Sequence, residues 1–328
     1  MDKKISLNHN PVIILLGPTG VGKTGLSILL AKALDTEIIS ADSMQIYRFM
    51  DIGTAKPSPE ELKEVKHHLI NILTPNESFS AGLFKKMAVD IINKLHSKNK
   101  VPLVAGGTGL YIRTLTGGFF EGPAADWPLR EKLLKEEQQF GKGHLYKSLI
   151  KIDPVSAEKI NPNDIRRIIR ALEVLFKSKK PITEAHLLST EHLDYRFIKV
   201  GLFRERKELY TLIEQRVDAM MERGLLQETE KLMQMNPGKI PLQALGYKEI
   251  LPSIKGLMGI NDAVRFLKKR SRMFAKRQLT WFKKEPDIQW VDITGLTDAD
   301  RIFMKVINDV AILKELIYGK DEERKHRY

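Results

Sequence analysis

The sequence predicts an α/β protein in which a parallel sheet is flanked by helices and carries an inserted all-helical domain. Two observations predict this class. Short apolar runs alternate with segments of helical periodicity up to Gly122, and the stretch from Pro123 to Tyr195 then shows helical patterns with almost no strand signal. Alternating strands and helices build parallel sheets that are covered on both faces. We therefore assign residues 1–122 and 196–328 to the core with its C-terminal helices, and residues 123–195 to the insertion.

The first element is the continuous apolar run Pro11–Leu16, which is typical of a buried strand. A glycine-rich turn follows, and helical periodicity then extends from Lys23 to Leu34. The same patterns predict strands at Glu37–Ser40, Leu69–Leu73, Val101–Val104 and Tyr195–Leu202, and helices at Phe79–Leu95, Lys207–Met235 and Asp262–Lys284. The charged tail Asp321–Tyr328 is expected to be frayed.

The insertion contains one strongly amphipathic helix. Asn163-Asp164 caps it, because a short polar side chain can accept a hydrogen bond from a free backbone N–H of the first turn. Its apolar stripe consists of Ile165, Ile168, Ile169, Leu172, Leu175 and Phe176. Three arginines, Arg166, Arg167 and Arg170, lie off that stripe and form a basic face.

Composition limits the functional classes. The chain has 328 residues, 42% of them hydrophobic and 29% charged, with a formal net charge of +13. This surplus favours a polyanionic partner, nucleic acid first and an anionic membrane surface second, although a merely basic enzyme is the alternative. The absence of cysteine excludes disulfides, thiolate nucleophiles and Cys-containing zinc sites. Met1–Asn10 lacks an apolar signal region, and no apolar run approaches the ~18 residues of a membrane span. We expect a cytoplasmic protein.

The turn after the first strand carries the clearest motif. Gly17-Pro18-Thr19-Gly20-Val21-Gly22-Lys23-Thr24 fits G-x-x-x-x-G-K-[ST] at every position, between a strand and a helix. The glycines let backbone N–H groups surround phosphate oxygens, and the helix N-terminus adds its positive end. Lys23 supplies a mobile positive charge, and the Thr24 hydroxyl can ligate Mg²⁺. The core is therefore expected to be P-loop NTPase-like and to bind a polyphosphate, as in ATP.

One feature departs from an ordinary NTPase. Such enzymes hold Mg²⁺ with an acidic residue at the end of another strand. Here the strand Val101–Val104 ends in Ala105-Gly106-Gly107-Thr108, which contains no carboxylate. This sequence weakens the prediction of nucleotide hydrolysis.

Asp42 is the candidate base. It follows the second strand directly, and open parallel sheets bind ligands at the carboxyl ends of their strands. Asp42 is therefore expected to face the same crevice as the phosphate loop. It could act as a general base, as a Mg²⁺ ligand or as a helix cap.

A basic helix is predicted near the C-terminus. Nine Lys or Arg residues and no acidic residue lie between Arg265 and Lys284, interleaved with Phe266, Phe274, Trp281 and Phe282. These aromatic side chains could stack on bases, or they could form a buried stripe beneath a solvated basic face. Adjacent His67-His68 do not suit a metal site. Arg216 is by general rule a surface arginine.

The motifs together resemble those of the bacterial tRNA dimethylallyltransferases, also called tRNA isopentenyltransferases, over nearly the whole chain. Beyond the phosphate loop, the matching segments are Ile39–Tyr47, Asp51–Lys56, His67–Leu69, Val104–Tyr111, Asn163–Arg167, Ala244–Glu249 and Arg277–Phe282. The phosphate loop is shared with many NTPases. The segments around Asp42 and the Gly106–Tyr111 run are far more specific.

The resemblance implies transfer of a dimethylallyl group from dimethylallyl diphosphate to N6 of adenine 37 in the anticodon loop of tRNA, with release of pyrophosphate. The diphosphate would lie in the Gly17–Thr24 loop with Mg²⁺ on Thr24, and Asp42 would take a proton from the amine. Thr19, Thr108 and Arg216 would complete the catalytic set. The implied tRNA-binding residues are Asp42, Ser43, Met44, Gln45, Thr108, Arg130, Arg166, Arg167, Arg170, Lys276 and Arg277.

Two other functions remain open from the residues alone. A P-loop small-molecule kinase would share the phosphate loop and could use Asp42, but it leaves the basic helix unexplained. A non-catalytic RNA-binding protein could use a nucleotide as a switch. No strong association motif is present, and we expect a monomer.

Overall fold

The computed structural model describes residues 10–325 apart from 118–121, 124, 183 and 185–192, with side chains as far as Gly319. These residues form two compact units. One comprises the described parts of Met1–Thr116 and Asp194–Tyr328, and the other the described parts of Gly117–Leu193. The predictions for Met1–Asn10 and for the last three residues of the tail concern positions outside the described range, except for Asn10.

The larger unit is built on a parallel sheet, which confirms the predicted fold class. The described residues give six strands in the order β3-β2-β4-β1-β5-β6, and every pairing is parallel. The strands are β1 Pro11–Leu16, β2 Ile38–Ser40, β3 His67–His68, β4 Leu103–Gly106, β5 Arg196–Phe203 and β6 Ile288–Asp292. The strand predicted at Leu69–Leu73 is wrong: the chain pairs two residues earlier, and Leu69 and Asn71 have positive φ angles that end the strand.

Helices cover the sheet. In this unit they are α1 Lys23–Ala33, α2 Pro59–Glu64, α3 Ala81–His96, α4 Gly109–Thr116, α9 Arg206–Glu222, α10 Leu225–Gln234, α11 Tyr247–Ile254, α12 Ile260–Phe282, α13 Ala299–Asp309 and α14 Ala311–Lys325. The range Lys207–Met235, predicted to be helical, contains two helices, because Gly224 adopts a φ of 96° and separates α9 from α10. The tail, expected to be frayed, continues α14 as far as Lys325.

Apolar clusters hold the described residues of this unit together, and two of them flank the cleft-forming segments. The first packs β1, β5 and β6 against α1, α13 and α14, around side chains such as Ile13 and Leu202 that are fully buried. The second gathers Tyr47, Val217 and Tyr247 from segments that are far apart in sequence. Because both strand faces are covered, β1 can be continuously apolar, as its sequence requires.

The described residues of the smaller unit form helices and connecting loops, without a strand. Its helices are α5 Trp127–Phe140, α6 His144–Ile152, α7 Pro154–Lys159 and α8 Ile165–Ser178. The predicted stripe of α8 faces a core that contains Leu133, Leu149 and Leu172. Asp164 caps α8 by accepting the Arg167 N–H. Within the described ranges of both units, every helix is too short or too polar to span a bilayer.

Candidate active site

The phosphate loop connects β1 to α1. Gly22 has a φ of 108° at the N-cap of α1, a left-handed conformation that a side chain would strain. The ammonium of Lys23 folds back over the loop and donates to the carbonyl oxygens of Gly17, at 2.9 Å, and Pro18, at 2.8 Å. The loop therefore holds its cation in place by backbone contacts alone.

Lys23 has an unusual acidity. Burial disfavours its charged form, and the neighbouring Arg216 adds repulsion; together they lower the pKa of the Lys23 ammonium to about 7 despite attraction by Asp42. A buried cation with this pKa gains from a bound anion, because the anion restores the charged form. The loop is therefore electrostatically prepared for a phosphate group.

Asp42 lies where β2 ends. Its Oδ1 accepts hydrogen bonds from the backbone N–H groups of Met44, at 2.8 Å, and Gln45, at 3.3 Å. This is the capping geometry that the sequence allowed, and it fixes the carboxylate orientation. Both bonds end on Oδ1, so capping does not occupy Oδ2.

The loop and the carboxylate line one cleft of about 370 Å³. Thr19, Gly20, Gly22, Lys23 and Thr24 contribute from the loop, and Asp42, Gln45, Gly107 and Arg216 contribute from the surrounding segments. The arrangement follows from parallel pairing, because β1 and β2 end at the same edge of the sheet. The cleft combines an anion-binding loop with a potential base, which is what a group transfer from a diphosphate requires.

Arg216 is not the surface residue that the general rule predicts. It projects from α9 into the cleft, where Nη2 donates to the Thr19 hydroxyl. Its Nε is buried and has no hydrogen-bond partner within the described residues. The helical pattern of α9 placed Arg216 beside the apolar positions Ile213 and Val217, but it gave no indication of a cleft on that side.

Thr108 braces the turn that contains Asp42. The Thr108 N–H donates to the Ala41 carbonyl at 3.1 Å, and its hydroxyl oxygen accepts the Ser43 N–H at 3.0 Å. Gln45 is similarly occupied: its amide nitrogen donates to the carbonyl oxygens of Thr54 and Ala55. Contacts of Ser43, Met44, Gln45 and Thr108 with RNA stay predictions.

Sequence reasoning missed Glu228, which holds the Asp51–Gly53 backbone next to the cleft residues Thr54 and Ala55. Its carboxylate accepts from the backbone N–H groups of Asp51, Ile52 and Gly53 at 2.9–3.0 Å and from the Tyr247 hydroxyl at 2.6 Å. It thereby joins the Asp51–Lys56 and Ala244–Glu249 segments. A glutamate on a helix is ordinarily a solvated side chain, so only the tertiary contacts reveal this role.

The basic helix α12 is less uncompensated than its sequence indicates. Arg265 pairs with Asp262, while Lys268 and Arg272 pair with Asp218 and Glu214 of α9. The interpretation of nine unpaired charges is therefore wrong, because acidic partners come from outside the segment. Phe282 is fully buried, so it belongs to the core. Lys276 and Arg277 remain exposed.

Glu173 unites the arginines of the smaller unit. Its fully buried carboxylate binds Arg130 at 2.7 Å, Arg170 at 2.5 Å and the backbone N–H of Asp126 at 2.7 Å. Burial alone would raise the pKa of Glu173, but these three donors outweigh it and lower the pKa to about 2. Arg130 and Arg170 thus share a buried partner, whereas Arg166 and Arg167 are exposed, and Arg167 pairs with Asp164 at the surface at 3.3 Å.

Metal-ligating side chains do not cluster. Within the described ranges there is no group of three or more His, Asp or Glu residues that could hold an ion. The His67 ring contacts the Val65 carbonyl and the His68 ring contacts Glu37. Thr24 and Asp42, the residues considered as Mg²⁺ ligands from the sequence, both line the cleft.

The chain is similar in sequence to proteins of a known family. A family model described as IPP transferase matches residues 45–285. The tRNA dimethylallyltransferase of Thermodesulfovibrio yellowstonii is 50% identical over 323 residues, which cover 96% of this chain and 99% of that protein.

Solved structures are also similar to this chain along almost its whole length. A crystal structure of a tRNA isopentenylpyrophosphate transferase from Bacillus halodurans has a TM-score of 0.69 at 39% identity, covering 95% of this chain and 99% of that one. A eukaryotic dimethylallyltransferase acting on tRNA has a TM-score of 0.76 at 31% identity, with coverages of 94% and 84%. Identities above 30% over almost the full length of the chain indicate common descent as well as a common fold.

Proposed function

This chain belongs to the IPP transferase family, and we propose that it transfers a dimethylallyl group from dimethylallyl diphosphate to N6 of adenine 37 in the anticodon loop of tRNA, releasing pyrophosphate. One observation carries the proposal at the level of chemistry. The phosphate loop, Arg216 and Asp42 line a single cleft, so a leaving diphosphate and a base can act on the same molecule.

The donor would be held by its diphosphate. Backbone N–H groups of Gly20–Thr24 surround the phosphate oxygens, and Lys23 moves from the Gly17 and Pro18 carbonyl oxygens onto the anion. Arg216 adds a second cation and positions Thr19 beside the reacting groups. Both cations stabilise the negative charge that grows on the departing pyrophosphate.

The acceptor amine needs a base, because its lone pair is delocalised into the adenine ring. Asp42 holds Oδ1 against two backbone N–H groups and presents Oδ2 to the amine. As the bond from N6 to the allylic carbon forms, the bond from that carbon to the diphosphate oxygen breaks. The N6 proton passes to Asp42, and pyrophosphate leaves with the bonding electron pair.

Mg²⁺ fits this site as a partner of the donor. The Thr24 hydroxyl lines the cleft, and Mg²⁺ is commonly held by few protein ligands together with phosphate oxygens and water. The ion would neutralise charge on the diphosphate. Lys23, Arg216 and Asp42 bind the donor, orient it and accept the proton.

The tRNA would contact both units. In the larger one the proposed contacts are Ser43–Gln45, Thr108, Lys276 and Arg277. In the smaller one, which corresponds to the proposed tRNA-binding insertion of residues 123–195, they are Arg130, Arg166, Arg167 and Arg170. The net charge of +13 supports a polyanionic acceptor. We place the protein in the cytoplasm, where unmodified tRNA is available, and infer that it acts as a monomer.

The test is incorporation of label from dimethylallyl diphosphate into an unmodified tRNA transcript in the presence of Mg²⁺. Label should appear at adenine 37, and a transcript with guanine at that position should accept none. ATP consumption with a small acceptor and no prenyl transfer would instead support a kinase. RNA binding without turnover would support a nucleotide-controlled binding protein.

A further inference from the structure

Gln278 joins two segments of the active site. It lies on α12 and is 8% exposed. Its Oε1 accepts the Thr19 N–H at 2.8 Å, and its Nε2 donates to the Gly107 carbonyl at 2.8 Å. Both ends of one buried amide are therefore used, one on the phosphate loop and the other on the loop after β4.

The second contact leads to the base. Gly107 precedes Thr108, which holds both residues that flank Asp42: it donates to the Ala41 carbonyl and accepts from the Ser43 N–H. A continuous path of short contacts thus runs from Thr19 through Gln278 and Thr108 to the Asp42 turn. Gln278 is the element of this path that reaches the phosphate loop directly.

The amide of Gln278 lies directly against Gly107. A Cβ on Gly107 would lie 2.4 Å from Gln278 Nε2, closer than two such atoms can approach. Gly107 does not have a positive φ, so backbone conformation alone would admit alanine there. A Cβ at position 107 would therefore have to displace the glutamine amide from the Gly107 carbonyl.

We propose that Gln278 is a positioning residue that fixes the separation between the phosphate loop and Asp42, so that the donor carbon and the base meet the same amine. It touches neither donor nor acceptor in this role. Its bond to Thr19 also commits that backbone N–H to the protein, so the Thr19 amide is not one of the groups that bind phosphate. This inference rests on the proposed transfer reaction.

The first experiment removes both hydrogen bonds of Gln278 while keeping the volume of its side chain similar. Gln278→Met should lower kcat about tenfold or more, because small misplacements of reacting groups are costly. The dissociation constant for inorganic pyrophosphate, measured by calorimetry, should stay within about threefold of wild type, since the loop keeps Lys23 and its other amides. Gln234→Met, at an exposed position on α10, is the matched control and should leave both values unchanged. Equal losses of kcat and pyrophosphate affinity in Gln278→Met would overturn the positioning role.

The second experiment uses the clash between a Cβ at position 107 and the amide of Gln278. Gly107→Ala should lower kcat about tenfold in the wild-type background, because the new Cβ displaces the Gln278 amide. In the Gln278→Ala background the same substitution should cost less than about twofold, since nothing remains to be displaced. Thermal unfolding of all four proteins shows whether each is folded.

The outcomes distinguish failure of the proposed transfer reaction from failure of the positioning role of Gln278. If wild type transfers no label to tRNA, the proposed function fails and the positioning role fails with it. If wild type is active and the losses from Gly107→Ala and Gln278→Ala simply multiply, the positioning role alone fails. A loss from Gly107→Ala that disappears when Gln278 is removed supports it.

Discussion

Arg216 and Thr19 are 197 positions apart in sequence, yet the guanidinium Nη2 lies 2.5 Å from the Thr19 hydroxyl oxygen. The contact brings a second cation next to Lys23, which is why the pKa of the lysine falls further than burial alone would lower it. Helix α9 therefore supplies positive charge to a loop that is distant from it in sequence. Two adjacent cations repel each other until an anion binds between or beside them.

The first prediction concerns the charge of Lys23. In lysine spectra labelled at Cε, the signal missing from Lys23→Arg should titrate with a midpoint of about 7 in the free protein. Removing the neighbouring cation in Arg216→Gln should raise this midpoint, and saturating pyrophosphate should raise it as well. A midpoint near 10.5 in the free wild-type protein would contradict the electrostatic account.

The lowered pKa of Lys23 should also make anion binding depend on pH. Above the midpoint the free protein carries neutral Lys23, so binding an anion must also take up a proton. Pyrophosphate affinity should therefore fall more steeply from pH 7 to pH 9 in wild type than in Lys23→Arg, whose guanidinium stays charged. Parallel pH profiles for the two proteins would show that the lysine does not titrate in this range.

The second prediction separates catalysis from architecture at Asp42. Asp42→Asn retains an Oδ1 acceptor for the Met44 and Gln45 N–H groups, so the turn should persist. It removes the base, and kcat should fall about 10²–10⁴-fold. Dissociation constants for tRNA and pyrophosphate should change by less than about threefold.

Asp42→Ala provides the comparison, since it removes both the base and the acceptor. It should lose as much in kcat and show additional weakening of tRNA binding if Ser43–Gln45 contact the RNA. Should Asp42→Asn lose affinity and kcat in equal proportion, the assignment of Asp42 as a base would be wrong.

The third prediction concerns the exposed arginines of the smaller unit. Replacing both Arg166 and Arg167 with Gln should weaken tRNA binding and reduce the slope of log affinity against log salt by about 2, one for each lost phosphate contact. Arg170 is left unchanged, because it binds Glu173 and its loss would also disturb packing. The matched control replaces Lys132 and Lys135 of α5, which are likewise exposed. An identical salt slope in both variants would remove Arg166 and Arg167 from the interface.

The fourth prediction concerns the stability of the smaller unit. Glu173→Gln leaves Arg130 and Arg170 without their anion, and we expect a loss of about 2 kcal/mol, discounted because the arginines are partly exposed. Amide exchange in α5 and α8 should accelerate about thirtyfold as a result. Glu158→Gln, at an exposed site in α7, should leave exchange unchanged.

The pH dependence of this effect has a definite sign. The pKa of Glu173 is about 2 in the folded protein and 4.5 ordinarily, so its stabilisation is complete above pH 4.5 and lost as pH falls towards 2. The difference in exchange between wild type and Glu173→Gln should therefore be larger at pH 7 than at pH 3. A difference that is constant with pH would mean that the charge of Glu173 is irrelevant.

Much of the fold could be predicted because its signals are local. The apolar run Pro11–Leu16, the glycine pattern and the helical period after Lys23 each lie within a few residues, so their spacing specifies a strand, a phosphate loop and a helix. Parallel pairing then places the residues after β1 and β2 at one edge of the sheet, which brings Asp42 near the loop. Where the local signal was weak, as at the two-residue strand β3, the predicted boundaries were wrong.

Local sequence patterns were therefore enough to predict the phosphate loop, the position of Asp42 and the helical character of the insertion. The three-dimensional packing adds that Arg216 donates to Thr19, that Gln278 joins Thr19 to Gly107, that Glu228 holds the Asp51–Gly53 backbone, and that acidic residues of α9 neutralise part of α12. Each of these is a contact between segments distant in sequence. Helical or strand periodicity identifies the buried side of an element, but it cannot specify which distant side chain will face it.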